Sequence, residues 1–115
     1  MNRQAIFDKV AKHLLKQNKE SSLKGELVCA YRGKGDTKCA IGCLIPEKLY
    51  TPNMERRAVR ALCEQYPAFA KHIGATKRDY VFLSNLQHIH DGSEPGNWHK
   101  ELSIFAKKNR LEFDQ

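Results

Sequence analysis

The chain has 115 residues, of which 41% are hydrophobic and 29% are charged, and its formal net charge at pH 7 is +7. These proportions are typical of one globular domain and exclude a disordered tail. No apolar stretch has the length of a membrane span, and the N-terminus lacks a secretory signal. We therefore expect a cytoplasmic protein with no membrane partner. In that compartment the four cysteines are expected to stay reduced.

Apolar residues at helical spacing predict about four helices in a single domain. The first is expected at Arg3–Gln17, because Ile6, Val10 and Leu14 recur at every fourth position and form one apolar face. Asn2 precedes this helix and is a residue type that caps helix N-termini.

Three later helices complete the predicted framework. The second is expected at 54–65 and the third at 77–90, and the third is expected to be the central buried element. The last helix begins near Trp98, which we expect in the core. Between the second and third helices, residues 68–73 are predicted to form a single helical turn closed by Gly74.

A small β-hairpin is predicted between the first two helices, at about 27–41. Residues 27–32 alternate like a strand, 33–36 contain two glycines suited to a turn, and 38–41 can form the returning strand. Because a lone hairpin is marginally stable in water, it must pack on the helices. The sequence therefore predicts a mainly α (α+β) fold, with about four helices forming one compact domain over 1–115.

Short motifs in this chain resemble one family. They are Tyr31-Arg32-Gly33, the run Lys-Cys-Ala-Ile-Gly-Cys-Leu-Ile-Pro at 38–46, Tyr50, Pro52-x-Met54-Glu55, Leu-Gln-x-x-His-Asp at 86–91, and the helix that contains Trp98. The family consists of small, uncharacterised proteins common in tailed-phage and prophage genomes, and the resemblance covers nearly the whole chain. The family pattern leads us to expect glycine after the Met-Glu pair, where this chain has Arg56.

The resemblance implies a phage or prophage gene product that acts in the cytosol of a bacterium. Small proteins of that origin often bind and redirect host machinery, including defence systems. The expected function is therefore that of a non-enzymatic accessory protein, which binds a host protein or a nucleoprotein complex as a host-takeover or anti-defence inhibitor. This expectation rests on context and not on a site.

A basic surface is expected to carry the interaction, since a net positive charge favours acidic partners. A second hypothesis is sequence-tolerant nucleic-acid binding by the same residues, with Tyr31 stacking on a base and Arg32 contacting a phosphate. Each basic group is also consistent with an ordinary solvated surface. Whether the groups share one face depends on the tertiary structure. The candidate residues are Lys9, Lys12, Lys16, Tyr31, Arg32, Lys34, Arg56, Arg57 and Arg60.

A third hypothesis is a small Cys/His enzyme or metal protein. Cys39 or Cys43 would act as nucleophile and His90 as base, with Asp91 orienting the imidazole. The plainer interpretation is that the thiols are buried and that His90 and Asp91 stabilise a helix end. Only one cysteine pair has zinc-ligand spacing, so we expect no metal site and no cofactor.

Overall fold

A computed structural model describes residues 1–22 and 30–113 of the chain. Within these ranges it is a mainly helical, compact globule, and its Cα radius of gyration of 13.1 Å matches the value of about 13 Å expected for a compact domain of this length. In the described part, no helix is long and apolar enough to cross a membrane. The five helices of the described residues are α1 (Arg3–Gln17), α2 (Val59–Gln65), α3 (Pro67–Ile73), α4 (Tyr80–Gly92) and α5 (Trp98–Lys108).

Helix α1 has the bounds that the sequence predicts. The Asn2 side chain accepts a hydrogen bond of 2.8 Å from the Ala5 N–H, which satisfies a donor that the first turn leaves free. The helix ends where Asn18 adopts a left-handed conformation and its N–H donates to the Leu14 carbonyl. Its apolar face is buried against the short 3₁₀ turn Gly42–Leu44 and against α5.

The last helix, α5, begins at Trp98 as predicted, but the helices between α1 and α5 differ from the prediction in number and in their first residues. Residues 54–65 are not one helix: a 3₁₀ turn occupies Pro52–Met54, and α2 begins only at Val59. Residues 68–73 belong to a complete helix, α3, because Pro67 suits a first helical position and starts it one residue earlier. The described residues therefore contain five helices where about four were predicted.

The predicted β-hairpin is not supported. Half of its first strand, residues 27–29, lies outside the described residues, and within them only an isolated antiparallel bridge joins Arg32 to Lys38. Side chains from distant helices bind the backbone of the expected second strand instead. Gln17 accepts from the Lys38 N–H and donates to the Lys38 carbonyl, each at 2.9 Å. Gln87 accepts from the Ile41 N–H at 2.8 Å. Because these backbone groups already have partners, they need no neighbouring strand.

Gly42 lets this connecting segment pass close to the neighbouring backbone. A Cβ atom at this position would lie only 2.0 Å from the Tyr31 carbonyl oxygen, so no larger residue fits without movement of the main chain. The close approach brings the turn Gly42–Leu44 onto α1 and buries Leu44 in the core.

Candidate functional site

His90 lies in α4 and is fully buried. Its Nε2 accepts a hydrogen bond of 2.9 Å from the Ser21 N–H, so the ring proton is on Nδ1, which donates to Asp91 Oδ1 at 2.8 Å. One ring face stacks on Trp98, with 5.3 Å between the ring centroids. Both nitrogens therefore have partners within the protein, and neither is available to take a proton from a substrate.

Gln87 connects this histidine pair to the segment that carries Cys39. Its Nε2 donates to Asp91 Oδ1 at 2.9 Å, and its Oε1 accepts from the Ile41 N–H. Cys39 is 1% exposed, and its sulfur accepts from the Gly42 N–H at 3.3 Å. Burial raises the pKa of this thiol far above its usual range, although the hydrogen bonds from Gly42 and Gln87 oppose the shift.

The fold thus brings three of the predicted catalytic candidates, Cys39, His90 and Asp91, around one glutamine. The fourth, Cys43, donates from its thiol to the Ala40 carbonyl, and burial raises its pKa to about 12. A nucleophilic cysteine needs a stabilised thiolate and an unoccupied base. The cluster provides neither. Its hydrogen bonds instead join α4 to the backbone of Ser21 and Ile41.

A cavity of about 420 Å³ opens beside this cluster. Its wall contains candidates from two different hypotheses. Cys39 and Asp91 are candidates for catalysis, whereas Tyr31 and two arginines are candidates for partner or nucleic-acid binding. Tyr31 is only 6% exposed, and its hydroxyl donates to the Arg57 carbonyl, so its ring cannot stack on a base as the nucleic-acid hypothesis requires. The described lining residues are Tyr31, Cys39, Arg56, Arg57, Ala58, Val59, Gln87 and Asp91.

Arg32 is engaged with its own chain. Its guanidinium lies 4.2 Å from the Tyr50 ring centroid and forms a 2.9 Å ion pair with Glu47. Glu55 holds the adjacent backbone, because its carboxylate accepts from the N–H groups of Tyr31 and Arg32 at 2.9 and 3.1 Å. The Tyr50 hydroxyl donates to the same carboxylate at 2.6 Å. The hydrogen bond to Glu55 and above all the desolvation of the phenol raise the pKa of Tyr50 to about 12.

Two arginines of the predicted binding surface also hold local structure. Arg57 donates from Nε to the Asn53 carbonyl at 2.7 Å and from Nη1 to the Gln65 side chain. Arg60 pairs with Glu64 at 3.2 Å along α2. Arg56 is exposed and has a φ of 63°, a conformation that favours glycine. We call Arg56, Arg57 and Arg60 the α2 arginine group.

Lys9, Lys12 and Lys16 are exposed on the outer face of α1, opposite its buried face. None of them forms an ion pair with another described residue. We call these three residues the α1 lysine stripe. Lys34 is likewise exposed, in the turn Lys34–Asp36. Because α1 packs on the turn Gly42–Leu44 and on α5, whereas α2 packs on α3 and α4, the basic candidates belong to separate parts of the framework.

Sequence reasoning missed the residues that organise this region: Gln17, Gln87 and Glu55. The sequence contains little that would reveal them, because a single amide or carboxylate that binds distant backbone produces no periodic pattern. Gln87 and Glu55 do occur within the family-like motifs, which gave the only hint.

No protein-family model matches the chain, and no curated protein or solved structure shows significant similarity to it. Among the described residues, no group of three or more His, Cys, Asp or Glu side chains is placed to hold a metal ion. Inference about function therefore starts from the geometry of the described residues.

Proposed function

We propose that the protein is a phage- or prophage-type accessory protein that binds an acidic host protein or nucleoprotein complex through its basic surface. In the cell it would act as a host-takeover or anti-defence inhibitor in the bacterial cytosol. The observation that carries the binding proposal is the exposure of the α1 lysine stripe on one face of a helix. The phage assignment is supported by the motifs at 38–46 and 86–91.

The stripe contributes little to the fold. Lysines three or four positions apart are neighbours on a helix surface, and like charges at this spacing destabilise an isolated helix by about 0.2–0.5 kcal/mol per pair. Only Lys16, in the last turn, gains from the helix dipole. An acidic partner would turn this repulsion into attraction, so binding supplies a reason for the stripe that folding does not.

The buried cluster supports the choice of a binding protein over an enzyme. Cys39 is inaccessible, and the two ring nitrogens of His90 are bound to Ser21 and Asp91. Alkylation by iodoacetamide separates the two readings, because only the thiolate reacts. We expect slow modification of Cys39 and Cys43 at neutral pH and rapid modification after denaturation. A cysteine that reacts rapidly in the native protein would favour the enzyme.

Capture of partners from bacterial lysate tests the binding proposal, and it compares two variants of equal charge. The stripe variant carries Lys9→Gln, Lys12→Gln and Lys16→Gln. The control variant carries Lys71→Gln, Lys77→Gln and Lys100→Gln, at exposed positions of α3, of the turn before α4 and of α5, respectively. Glutamine preserves helix propensity, so both variants should fold.

We expect the wild type and the control variant to recover the same acidic partner, identified by mass spectrometry with and without nuclease. The stripe variant should lose most of it. Equal recovery by the stripe variant would refute the assignment of binding to α1.

A further inference from the structure

We infer that the acidic partner surface recognised by the α1 lysine stripe is the phosphate backbone of double-stranded DNA, bound without reading its sequence. This inference rests on the proposed function and names the partner of the same surface. Three observations support it: the span of the lysines, the absence of other residue types from the stripe, and the contacts that keep Tyr31 and the arginines from serving the same surface.

The span of the stripe suits a short run of phosphates. A helix rises 1.5 Å per residue, so Lys9 and Lys16 are about 10.5 Å apart along the α1 axis, with Lys12 between them. In B-form DNA the phosphates of one strand follow at 3.4 Å along the duplex axis, so three successive phosphates cover two steps, about 6.8 Å along that axis, while the strand also winds around it. Three ammonium groups on flexible stems adapt to this difference, so the stripe covers about three phosphates of one strand.

The chemistry of the stripe favours phosphates over a protein surface. Protein interfaces draw most of their binding energy from tryptophan, tyrosine and arginine anchors, and the stripe contains none. Two arginines among the predicted binding residues already form ion pairs within the protein, Arg32 with Glu47 and Arg60 with Glu64. Lysine binds phosphate as a point charge and needs no fixed geometry.

The form of nucleic acid follows from the same residues. Single strands bind best on exposed aromatic platforms, whereas Tyr31, the aromatic candidate, is buried. Lysine can read guanine, but reading the other bases needs asparagine, glutamine or acidic side chains in a groove, and the stripe offers only lysine.

A negative charge limits the contact at one end of the stripe. Asp8 is exposed beside the N-terminal end of the stripe, where its carboxylate accepts from the Gln4 amide at 2.7 Å. A carboxylate repels phosphates at this end. With one phosphate for each lysine, the stripe neutralises about three phosphates.

The test is the salt dependence of binding to a fluorescently labelled DNA duplex of about 20 base pairs and arbitrary sequence, followed by anisotropy. Each phosphate contact contributes about −0.9 to the slope of log K against log salt, so the stripe should contribute about −2.7. Between about 50 and 200 mM salt this corresponds to a loss of affinity of about 40-fold. The stripe variant should lack this contribution, and the control variant should retain it.

Equal slopes for the stripe and control variants would overturn the inference. So would tighter binding of the wild type to an RNA duplex or to single-stranded DNA of the same length. If the wild type does not bind the duplex but captures a nuclease-resistant protein through the stripe, the DNA inference fails and the proposed function stands. If the stripe variant also captures partners like the wild type, both fail. Thermal unfolding of each variant verifies that it is folded.

Discussion

The α1 lysine stripe and the α2 arginine group are both basic, but they differ in what surrounds them. The lysines lie on the solvent face of a regular helix and have no ion-pair partner among the described residues. In the arginine group, Arg57 binds Asn53 and Gln65, and Arg60 binds Glu64. The comparison shows that a basic residue in the sequence is available to a partner only if the fold has not already used it.

The difference follows from the two side chains and the local backbone. Arginine presents a planar set of donors that suits carbonyl and carboxylate acceptors, and the irregular chain before α2 exposes such acceptors. A regular helix satisfies its own backbone, so the lysines of α1 find no carbonyl to bind there. We therefore expect substitutions near α2 to affect stability and substitutions in the stripe to affect binding.

The largest expected effect is at Glu55, which supports the chain beside the arginine group. Glu55→Ala leaves the N–H groups of Tyr31 and Arg32 and the hydroxyl of Tyr50 without their acceptor. Since hydrogen bonds to charged groups contribute about 1.5–3 kcal/mol, we expect a loss of about 3 kcal/mol in the free energy of unfolding. Urea unfolding measures it.

Glu47→Ala is the matched control for Glu55→Ala. The Glu47 side chain is 86% exposed, and among the described residues its ion pair is with Arg32, so its removal should cost less than about 1 kcal/mol. Similar losses for the two variants would show that the Glu55 carboxylate does not hold this segment.

A smaller effect on the free energy of unfolding distinguishes the α2 arginine group from the α1 lysine stripe. Arg57→Ala removes the hydrogen bonds to Asn53 and Gln65 and should lower the free energy of unfolding by about 1 kcal/mol. Lys12→Ala should change it by no more than about 0.5 kcal/mol, because the side chain is exposed. Partner capture should show the opposite order. Equal destabilisation by both substitutions would remove the distinction between the regions.

Arg56 tests whether a member of the arginine group is strained. Its φ of 63° is costly for a residue with a Cβ. The glycine expected from the family-like motif would adopt this φ without strain. Arg56→Gly should therefore raise the free energy of unfolding by about 0.5–1 kcal/mol, net of the greater entropy of glycine in the unfolded chain. Arg56→Ala keeps the strain and should show no such gain; a gain for alanine alone would point to the charge instead.

The smallest effect concerns His13, which lies in α1 beside the stripe but is partly buried. Its Nε2 donates to the Lys38 carbonyl at 2.8 Å, and desolvation lowers the pKa of the imidazole below its usual value of 6.5. The unfolded chain therefore binds a proton more readily than the native protein. The stability that neutral His13 contributes is complete above about pH 6.5, the pKa in the unfolded chain, and is lost as the pH falls towards the lower pKa of the native protein.

We expect the free energy of unfolding of the wild type to decrease more between about pH 7 and pH 5 than that of His13→Gln, which cannot be protonated. Urea unfolding across this range measures the difference. Parallel pH profiles would show that His13 does not titrate with folding. A neutral His13 near pH 7 also means that the positive charge of this helix face comes from its lysines.

Helix α1 was predictable in full because its signals are local. The cap at Asn2, the apolar face and the left-handed Asn18 all lie within or beside the helix that they define. The break at Pro67 had a signal as well, although the sequence suggested only one helical turn after it. By contrast, the hairpin prediction was wrong at 38–41, because Gln17 and Gln87 bind that backbone from 21 and 46 residues away.

The residues of the candidate site also divide into those predictable from local sequence and those that depend on distant parts of the chain. Helical periodicity alone predicts the stripe, because it places the three lysines opposite the buried face of α1. No pattern in the sequence predicts that the fold buries Tyr31, pairs Arg32 with Glu47 and occupies both nitrogens of His90. Periodicity is a property of neighbouring residues, whereas the use of a polar side chain depends on which distant backbone groups the fold brings to it.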